Sequence, residues 1–373
     1  NGIVHRQGET YQVPAGGDIG VGFDGTVAGA RLWSPDDPAL YTTRVELWAD
    51  GELTDSLEAR VGFRTVAVED GRLLLNGRPI VLRGFNRHED SPHTGMAMDL
   101  ETARRDFLAM RETGANFVRL AHYPHHPGEL DLCDELGLLA MCEIPVYWWT
   151  GLDEGEARYA GKLDAARRQL SALIARDGSH PSVIIWSVSN ETREARPGVR
   201  EGNDALIAHA KALDPSRLVV HIADESVWTT APHFPLDDLL CVNGYPTWFK
   251  GMEAGNPDYD VAESTRFWRG QLATLHAAYP DKPIFITEFG YPCLEGFSDG
   301  PLGEATQAGA LAAEFAGMAA PYVCGILIWC FADHPWPEIN AIRNLTTSPF
   351  GVVTRDQQPK HAYDVARALF RQP

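Results

Sequence analysis

Two glutamates stand directly after strongly apolar segments of the sequence. Glu191 ends the run Val183-Ile-Ile-Trp-Ser-Val-Ser-Asn-Glu191, and Glu288 ends the run Pro283-Ile-Phe-Ile-Thr-Glu288. A carboxylate that enters a low-dielectric site is costly unless it is paired or protonated, so these positions indicate a use. Glycoside hydrolysis needs such a pair: one carboxylic acid that protonates the leaving oxygen and one carboxylate beside the anomeric carbon. The alternative is that one or both carboxylates form salt bridges at the rim of the fold.

The elements that must position these glutamates are eight apolar segments typical of buried strands, which alternate with amphipathic segments typical of helices. The predicted strands are Ile80–Phe85, Asn116–Ala121, Leu138–Glu143, Val183–Asn190, Leu218–Ile222, Leu239–Tyr245, Pro283–Glu288 and Gly325–Phe331. The predicted helices lie near 99–113, 127–136, 162–177, 203–213, 261–278, 304–319 and 360–371. This alternation predicts an α/β fold, a (β/α)8 TIM barrel, with its active site at the carboxyl ends of the strands. A doubly wound sheet of six or nine strands is the alternative.

The region before the barrel has a different pattern. Short alternating stretches, clearest at Tyr41–Trp48 and from Leu57 to Val68, predict four or five strands of a partial immunoglobulin-like β-sandwich. Asp70-Gly71 marks the predicted boundary, which divides the chain into a sandwich domain at 1–70 and a catalytic barrel at 71–373. The first residues are neither an initiator methionine nor a signal peptide, and we interpret them as the cut end of a longer chain.

Composition limits the partners of the protein. The chain of 373 residues has 32 basic and 51 acidic residues, a net charge of −19, which disfavours nucleic acid and anionic membrane surfaces. No apolar run approaches the roughly 18 residues of a membrane span. The six cysteines have no CxxC spacing and mostly occupy apolar runs, so we expect buried, reduced thiols and a cytoplasmic location. A homo-oligomer is possible, and the sequence does not decide the oligomeric state.

Polar and aromatic side chains follow the predicted strands and would meet at one rim of the barrel. Tryptophans are prominent there, and indole faces stack on sugar rings. They are Trp148, Trp149, Trp228, Trp248, Trp329 and Trp336. The alternative for each indole is packing in the core of a loop.

The sequence supports neither a catalytic metal nor a nucleotide cofactor. His88, His122 and His125 could bind a metal, but there is no HExxH motif and no Cys–His set with zinc spacing. These histidines fit better as partners of a sugar or a carboxylate. No Gly-x-Gly-x-x-Gly or phosphate-loop motif follows any of the predicted strands, so the sequence predicts no cofactor.

Five segments together resemble glycoside hydrolase family two, the family of β-galactosidases, β-glucuronidases and β-mannosidases. The resemblance runs from about residue 30 to the C-terminus, and the third and fourth segments are the most specific. The segments are Leu75-Asn-Gly-Arg-Pro-Ile-Val-Leu-Arg-Gly-Phe-Asn-Arg-His-Glu-Asp90, Asn116-Phe-Val-Arg-Leu-Ala-His-Tyr-Pro124, His180-Pro-Ser-Val-Ile-Ile-Trp-Ser-Val-Ser-Asn-Glu191, Pro283-Ile-Phe-Ile-Thr-Glu-Phe-Gly290 and Gly325-Ile-Leu-Ile-Trp-Cys-Phe-Ala-Asp333.

The resemblance implies a retaining exo-β-glycosidase that forms a covalent glycosyl-enzyme. By position, Glu191 matches the family's acid/base and Glu288 its nucleophile, and Asn190 would bond the sugar 2-hydroxyl. The residues that match the subsite for the terminal sugar are Asp90, His122, Tyr245 and Trp329. Retention implies a separation of about 5–5.5 Å between the two carboxyl groups.

Three departures from the family pattern bear on the substrate. The N-terminal jelly-roll domain is missing from this sequence. Glu143 is followed by Ile-Pro-Val rather than by the galactosidases' Glu-x-His magnesium element. The glucuronidases' Asn-x-Lys, which grips the sugar carboxylate, is replaced by Asn344-Leu345-Thr346, although Arg343 could supply the cation.

The segments 240–249 and 350–360 nevertheless look most like glucuronidases. We therefore predict a β-glucuronide- or β-galactoside-like substrate. The alternatives are an endo-acting glycanase on the same barrel and a non-catalytic carbohydrate-binding descendant.

Overall fold

The structure, a computed structural model, describes residues 3–148, 156–253, 259–335 and 347–372. Six of the residues discussed above lie outside this part of the chain, namely Trp149, Trp336, Arg343, Asn344, Leu345 and Thr346.

The N-terminal region consists of small antiparallel sheets. Strand β1 (Tyr41–Ala49) pairs with β2 (Glu52–Val61), and β3 (Val66–Glu69), β4 (Arg72–Leu75) and β5 (Arg78–Pro79) form a three-stranded sheet. These sheets are consistent with a partial immunoglobulin-like domain. The described residues before residue 70 contain three strands, β1, β2 and β3, which is fewer than the four or five predicted; residues 3–23 form none of them, and their apolar side chains are exposed.

Eight parallel strands form the predicted TIM barrel, which closes where the last strand pairs with the first. The strands are β6 (Leu82–Arg87), β7 (Phe117–Leu120), β8 (Leu139–Glu143), β9 (Val183–Asn190), β10 (Leu218–Ala223), β11 (Leu240–Asn243), β12 (Ile284–Phe289) and β13 (Val323–Ile328). Every predicted strand is present, with ends within three residues of the prediction. The chain also has two short paired strands, β14 (His334–Pro335) and β15 (Thr347–Ser348).

Helices cover the outside of the barrel, as the amphipathic pattern predicts. They are α1 (Leu100–Glu112), α2 (Pro127–Leu136), α3 (Glu156–Asp177), α4 (Pro197–Leu213), α5 (Glu225–Trp228), α6 (Val261–Ala278), α7 (Glu304–Met318) and α8 (His361–Phe370), with a π-helical turn at Trp248–Glu253. Local signals set their ends: the Asp99 side chain accepts from the Glu101 N–H, and Gly137 ends α2 in the left-handed conformation. Helix α4 begins earlier than predicted, because Pro197 occupies its first turn.

Two apolar layers hold the barrel together. One fills its interior with side chains such as Leu82, Phe117 and Phe285, and the other lies between the strands and the surrounding helices. Each fully buried aliphatic or phenyl side chain contributes roughly 1.5–3 kcal/mol. At Gly84 a Cβ atom would lie 1.7 Å from the carbonyl oxygen of Phe117, so only glycine permits this approach of β6 to β7.

The cysteines are buried thiols without disulfides, as the sequence predicted. Within the described ranges, no helix combines the length and the apolar character that a membrane span requires.

Candidate active site

The two glutamates lie at the carboxyl ends of strands separated by two others in the barrel. Glu191 directly follows β9, and Glu288 is the second-last residue of β12. Glu191 has a φ of +48°, an uncommon conformation for a residue with a Cβ, and its N–H donates to the carbonyl oxygen of Ile222 at 2.8 Å. Such backbone positions cluster at functional sites, where the surrounding structure holds them.

A fully buried arginine on β7 links the two sides of the site. The guanidinium of Arg119 donates to Glu288 Oε1 at 2.6 Å, to Asn190 Oδ1 at 2.8 Å and to both oxygens of Glu143 at 2.9 Å. Burying a guanidinium is costly unless carboxylates compensate its charge, and here two carboxylates do so. Arg119 therefore fixes the position of Glu288 relative to Asn190.

Glu143, at the end of β8, holds this arginine in place. Its carboxylate accepts from Ser187 Oγ at 2.7 Å, and His122 Nδ1 lies 2.9 Å from its other oxygen. Burial raises the pKa of Glu143, but the charge of Arg119 and the hydrogen bond with His122 outweigh burial and lower the pKa to about 2. Glu143 thus stays ionised, and His122 orients a carboxylate. The indole of Trp329 stacks on the His122 ring, with centroids 5.2 Å apart.

Two donors stabilise negative charge on Glu288, which is 4% exposed. The hydroxyl of Tyr245 donates to Glu288 Oε2 at 2.5 Å, and Arg119 donates to Oε1. Burial, together with the negative charges of Glu288 and Glu191, raises the pKa of Tyr245 well above its usual range. The phenol therefore remains protonated and remains a donor. This environment suits a carboxylate that acts while ionised.

Glu191 lies in the opposite environment. Burial raises its pKa, and the negative charge of Glu288 raises it further. Hydrogen bonds from Asn243 Nδ2 at 2.9 Å and from Trp148 Nε1 at 2.8 Å lower the pKa only in part, so it is raised to about 7. Glu191 thus keeps its proton up to about neutral pH, whereas Glu288 accepts hydrogen bonds from a guanidinium and a phenol. Contrasting environments of this kind are typical of an acid and a nucleophile.

The structure joins most of the predicted site residues in one hydrogen-bonded network. Besides the two glutamates, it contains Asn190, His122 and Tyr245, with Trp329 stacked on its edge. Asp90 differs: its carboxylate forms an ion pair with Arg355 at 2.8 Å, and only its N–H approaches the network, through the carbonyl oxygen of His88, whose ring contacts His122 and Trp329.

The tryptophans of the rim divide into two groups. Trp228 is 2% exposed and Trp248 is 3% exposed, so the core-packing alternative is correct for these two side chains. Trp148 is 40% exposed and lies beside Glu191. Its indole N–H was not foreseen as a partner of the carboxyl group, and no local sequence signal reveals that contact. The central place of Arg119 did have a signal, an arginine within the apolar strand Phe117–Leu120.

Two groups of side chains among the described residues have ligand atoms close enough to hold a metal ion. They are Glu89, His125 and Glu129, and Asp131, Asp134 and His180. In the first group Glu129 pairs with Arg87 at 2.7 Å, and in the second Asp134 binds the His180 ring and the Ser182 N–H. Protein donors thus already engage these carboxylates, and metal independence stays a prediction.

Comparisons with family models and with known proteins point to the same family that the sequence resembles. Residues 66–372 match the family model described as glycosyl hydrolases family 2, TIM barrel domain, and residues 3–64 match the model described as glycosyl hydrolases family 2. The β-glucuronidase of Sus scrofa is 34% identical over 98% of this chain and 56% of that protein. The β-glucuronidase of Paenibacillus borealis is 33% identical over 94% of this chain and 59% of that protein.

Solved structures give the same result. The β-D-glucuronidase of Dictyoglomus thermophilum superposes with a TM-score of 0.84 at 28% identity, over 93% of this chain and 60% of that one. The β-glucuronidase of Ruminococcus gnavus in complex with D-glucuronic acid has a TM-score of 0.83 at 29% identity, over 92% and 58%. The chain spans little more than half the length of these relatives.

Proposed function

The chain belongs to glycosyl hydrolase family 2, and we propose that it is a retaining exo-β-glycosidase that removes terminal β-glucuronide- or β-galactoside-like sugars. The observation that carries this proposal is the pair of carboxyl groups in contrasting environments, Glu288 buried and Glu191 partly buried. Glu288 accepts from Arg119 and Tyr245, whereas burial and its neighbour raise the pKa of Glu191 to about 7. We assign catalysis to the barrel at 71–373 and the sandwich to 1–70.

In the first step Glu288 acts as the nucleophile and Glu191 as the general acid. A carboxylate oxygen of Glu288 forms a bond to the anomeric carbon while the bond from that carbon to the leaving oxygen breaks. The proton of Glu191 moves to the leaving oxygen. Asn190 is fixed from two sides, by Arg119 at 2.8 Å and by Asn243 at 3.1 Å, so its amide group can hold the sugar 2-hydroxyl throughout.

In the second step the roles of the two glutamates change. The covalent bond removes the negative charge of Glu288, and with it the repulsion that helped to raise the pKa of Glu191. Glu191, which gave its proton to the leaving oxygen, therefore stays ionised more easily. It takes a proton from water as the water attacks the anomeric carbon and the bond from that carbon to Glu288 breaks. The negative charge returns to Glu288, where Tyr245 and Arg119 stabilise it.

The sugar itself is proposed from the relatives and from the walls of the site. The named relatives are β-glucuronidases, which favours a glucuronide. A sugar carboxylate requires a cation, but Arg119 already pairs with two carboxylates and Arg355 pairs with Asp90. Arg343 is the remaining candidate from the sequence. His122 and Trp329 supply a flat aromatic wall on which a sugar ring can stack.

A panel of nitrophenyl β-glycosides tests this proposal. The panel comprises the galactoside, glucuronide, glucoside, mannoside and galacturonide, and the expected result is hydrolysis of at least one of them. Glu288→Gln should abolish that turnover without unfolding the protein, while the exposed control Glu263→Gln should match the wild type. Near-normal activity of Glu288→Gln would remove the nucleophile assignment.

The acid/base assignment has its own experiment. Glu191→Ala should still form the covalent intermediate from activated aryl glycosides, which need no acid. Added azide should then speed its breakdown and give a β-glycosyl azide, because a small anion can enter where the carboxylate stood. If no β-glycosyl azide forms, Glu191 is not the acid/base.

A further inference from the structure

A buried carboxyl group lies outside this network, on the helix α7. Glu314 is 1% exposed. One of its oxygens accepts from the Thr247 N–H at 3.3 Å, and the other accepts from Trp268 Nε1 at 3.1 Å. None of the ion pairs among the described residues includes Glu314, and burial raises its pKa to about 7. A carboxyl group buried without a cation is costly, which indicates that its two hydrogen bonds serve a purpose.

The first hydrogen bond leads to the nucleophile. Thr247 lies in the loop that follows β11, two residues after Tyr245, and the hydroxyl of Tyr245 donates to Glu288 at 2.5 Å. The Thr247 hydroxyl also lies 2.6 Å from Ser264 Oγ on α6. The loop that carries Tyr245 is therefore tied to both outer helices, and one of these ties is the Glu314 carboxyl group.

The second hydrogen bond leads to the acid/base. The indole of Trp268 stacks on that of Trp228, with ring centroids 5.8 Å apart and planes 17° apart. Trp228 Nε1 donates to the carbonyl oxygen of Asn243 at 2.8 Å, and the Asn243 amide donates to Glu191 at 2.9 Å. Glu314 thus fixes one end of a row of buried side chains whose other end is Glu191.

We propose that Glu314 is a positioning residue for the reaction: from outside the barrel it holds Tyr245 against Glu288 and supports Asn243 against Glu191. This inference rests on the proposed function. A packing role alone would make Glu314 important for stability, whereas the two contact paths make it important for the arrangement of both glutamates. Side chains held through such outer contacts keep reacting groups in productive geometry, and small displacements are costly for rate.

The kinetic experiment compares Glu314→Ala, the milder Glu314→Gln and a matched control, Leu311→Ala. Leu311 lies on the same helix, is 2% exposed and packs in the same core, but its apolar side chain makes no hydrogen bond to the network. We expect Glu314→Ala to lower kcat/KM about tenfold on a dinitrophenyl glycoside and more on a methyl glycoside, whose poor leaving group needs the acid. Glu314→Gln keeps one acceptor, so its kcat/KM should lie between those of the wild type and Glu314→Ala. Leu311→Ala should lower Tm and leave kcat/KM unchanged on both glycosides.

The inference would be overturned if Glu314→Ala lowered Tm but left kcat/KM unchanged, as expected for Leu311→Ala. Hydrogen exchange gives a second readout that needs no turnover. Amides of the peptide 243–250 should exchange faster in Glu314→Ala than in the wild type, and should be unchanged in Leu311→Ala. Unchanged exchange in Glu314→Ala would also overturn the inference. A third outcome separates this inference from the proposed function. If the wild type hydrolyses no glycoside but Glu314→Ala still exchanges faster than the wild type, the proposed function is refuted and the positioning of this loop by Glu314 is supported.

Discussion

Replacement of Tyr245 by phenylalanine separates the two chemical steps. The change removes one donor from Glu288 and leaves the other, Arg119, in place. In the first step the negative charge of Glu288 disappears, so the phenol stabilises the starting carboxylate more than the transition state. In the second step that charge returns, and the phenol stabilises the transition state. We therefore expect Tyr245→Phe to slow the second step and spare the first.

The magnitude follows from the hydrogen bond. A hydrogen bond to a charged group contributes about 1.5–3 kcal/mol, and 1.36 kcal/mol is a factor of ten in rate. The 2.5 Å contact is buried, so the second step should slow by about 10- to 150-fold. Because the glycosyl-enzyme then accumulates, kcat and KM should fall together, while kcat/KM, which reports the first step, should fall much less.

Stopped-flow release of dinitrophenol is the assay. Tyr245→Phe should give a burst of one equivalent per active site followed by a slow steady state. The control is Tyr291→Phe, because Tyr291 belongs to the same buried aromatic cluster but donates to the carbonyl oxygen of Pro301 at 2.9 Å. It should retain wild-type kinetics. Equal losses in kcat and kcat/KM without a burst would refute the reasoning, since the phenol would then act on the first step.

The other predictions concern pH, stability and metals. Since the pKa of Glu191 is raised to about 7 and its protonated form starts the reaction, kcat/KM should decline as pH rises through about 7; a flat profile from pH 6 to 9 would contradict this. Arg119→Ala leaves two buried carboxylates unpaired and should lower the free energy of unfolding by about 3–5 kcal/mol in urea titrations, against about 1 kcal/mol or less for the half-exposed Arg355→Ala. EDTA should leave the kinetic constants unchanged, and inhibition reversed by magnesium would show that a metal is required.

The barrel could be predicted from sequence because its signals are local. Each strand is a short apolar run between turn residues, and each helix has an amphipathic repeat, so no distant contact is needed to identify them. The catalytic candidates followed from the same pattern, since a carboxylate directly after an apolar strand is unusual in any context. Glu191 and Glu288 were found in this way before any contact was known.

The remaining features depend on contacts between distant parts of the chain. Arg119 meets Glu288 across 169 positions, and Arg355 meets Asp90 across 265, distances at which sequence spacing carries no information. The N-terminal strands were overpredicted because alternation does not reveal whether a partner strand is present. The exposed strands β1 and β2 pair with each other, whereas residues 3–23 belong to none of the sheets among the described residues. The contact between Trp148 and Glu191 could not be predicted either, because only the fold brings the indole to that carboxyl group.

Trapping of the glycosyl-enzyme tests the central claim most directly. A 2-deoxy-2-fluoro glycosyl fluoride of the sugar selected by the nitrophenyl panel slows both steps, but its good leaving group lets the covalent intermediate accumulate. Peptide mass spectrometry of the inactivated protein should place the sugar on Glu288, the carboxylate that accepts hydrogen bonds from Arg119 and Tyr245. A label on Glu191 or on any other residue would contradict the assignment of the two carboxyl groups.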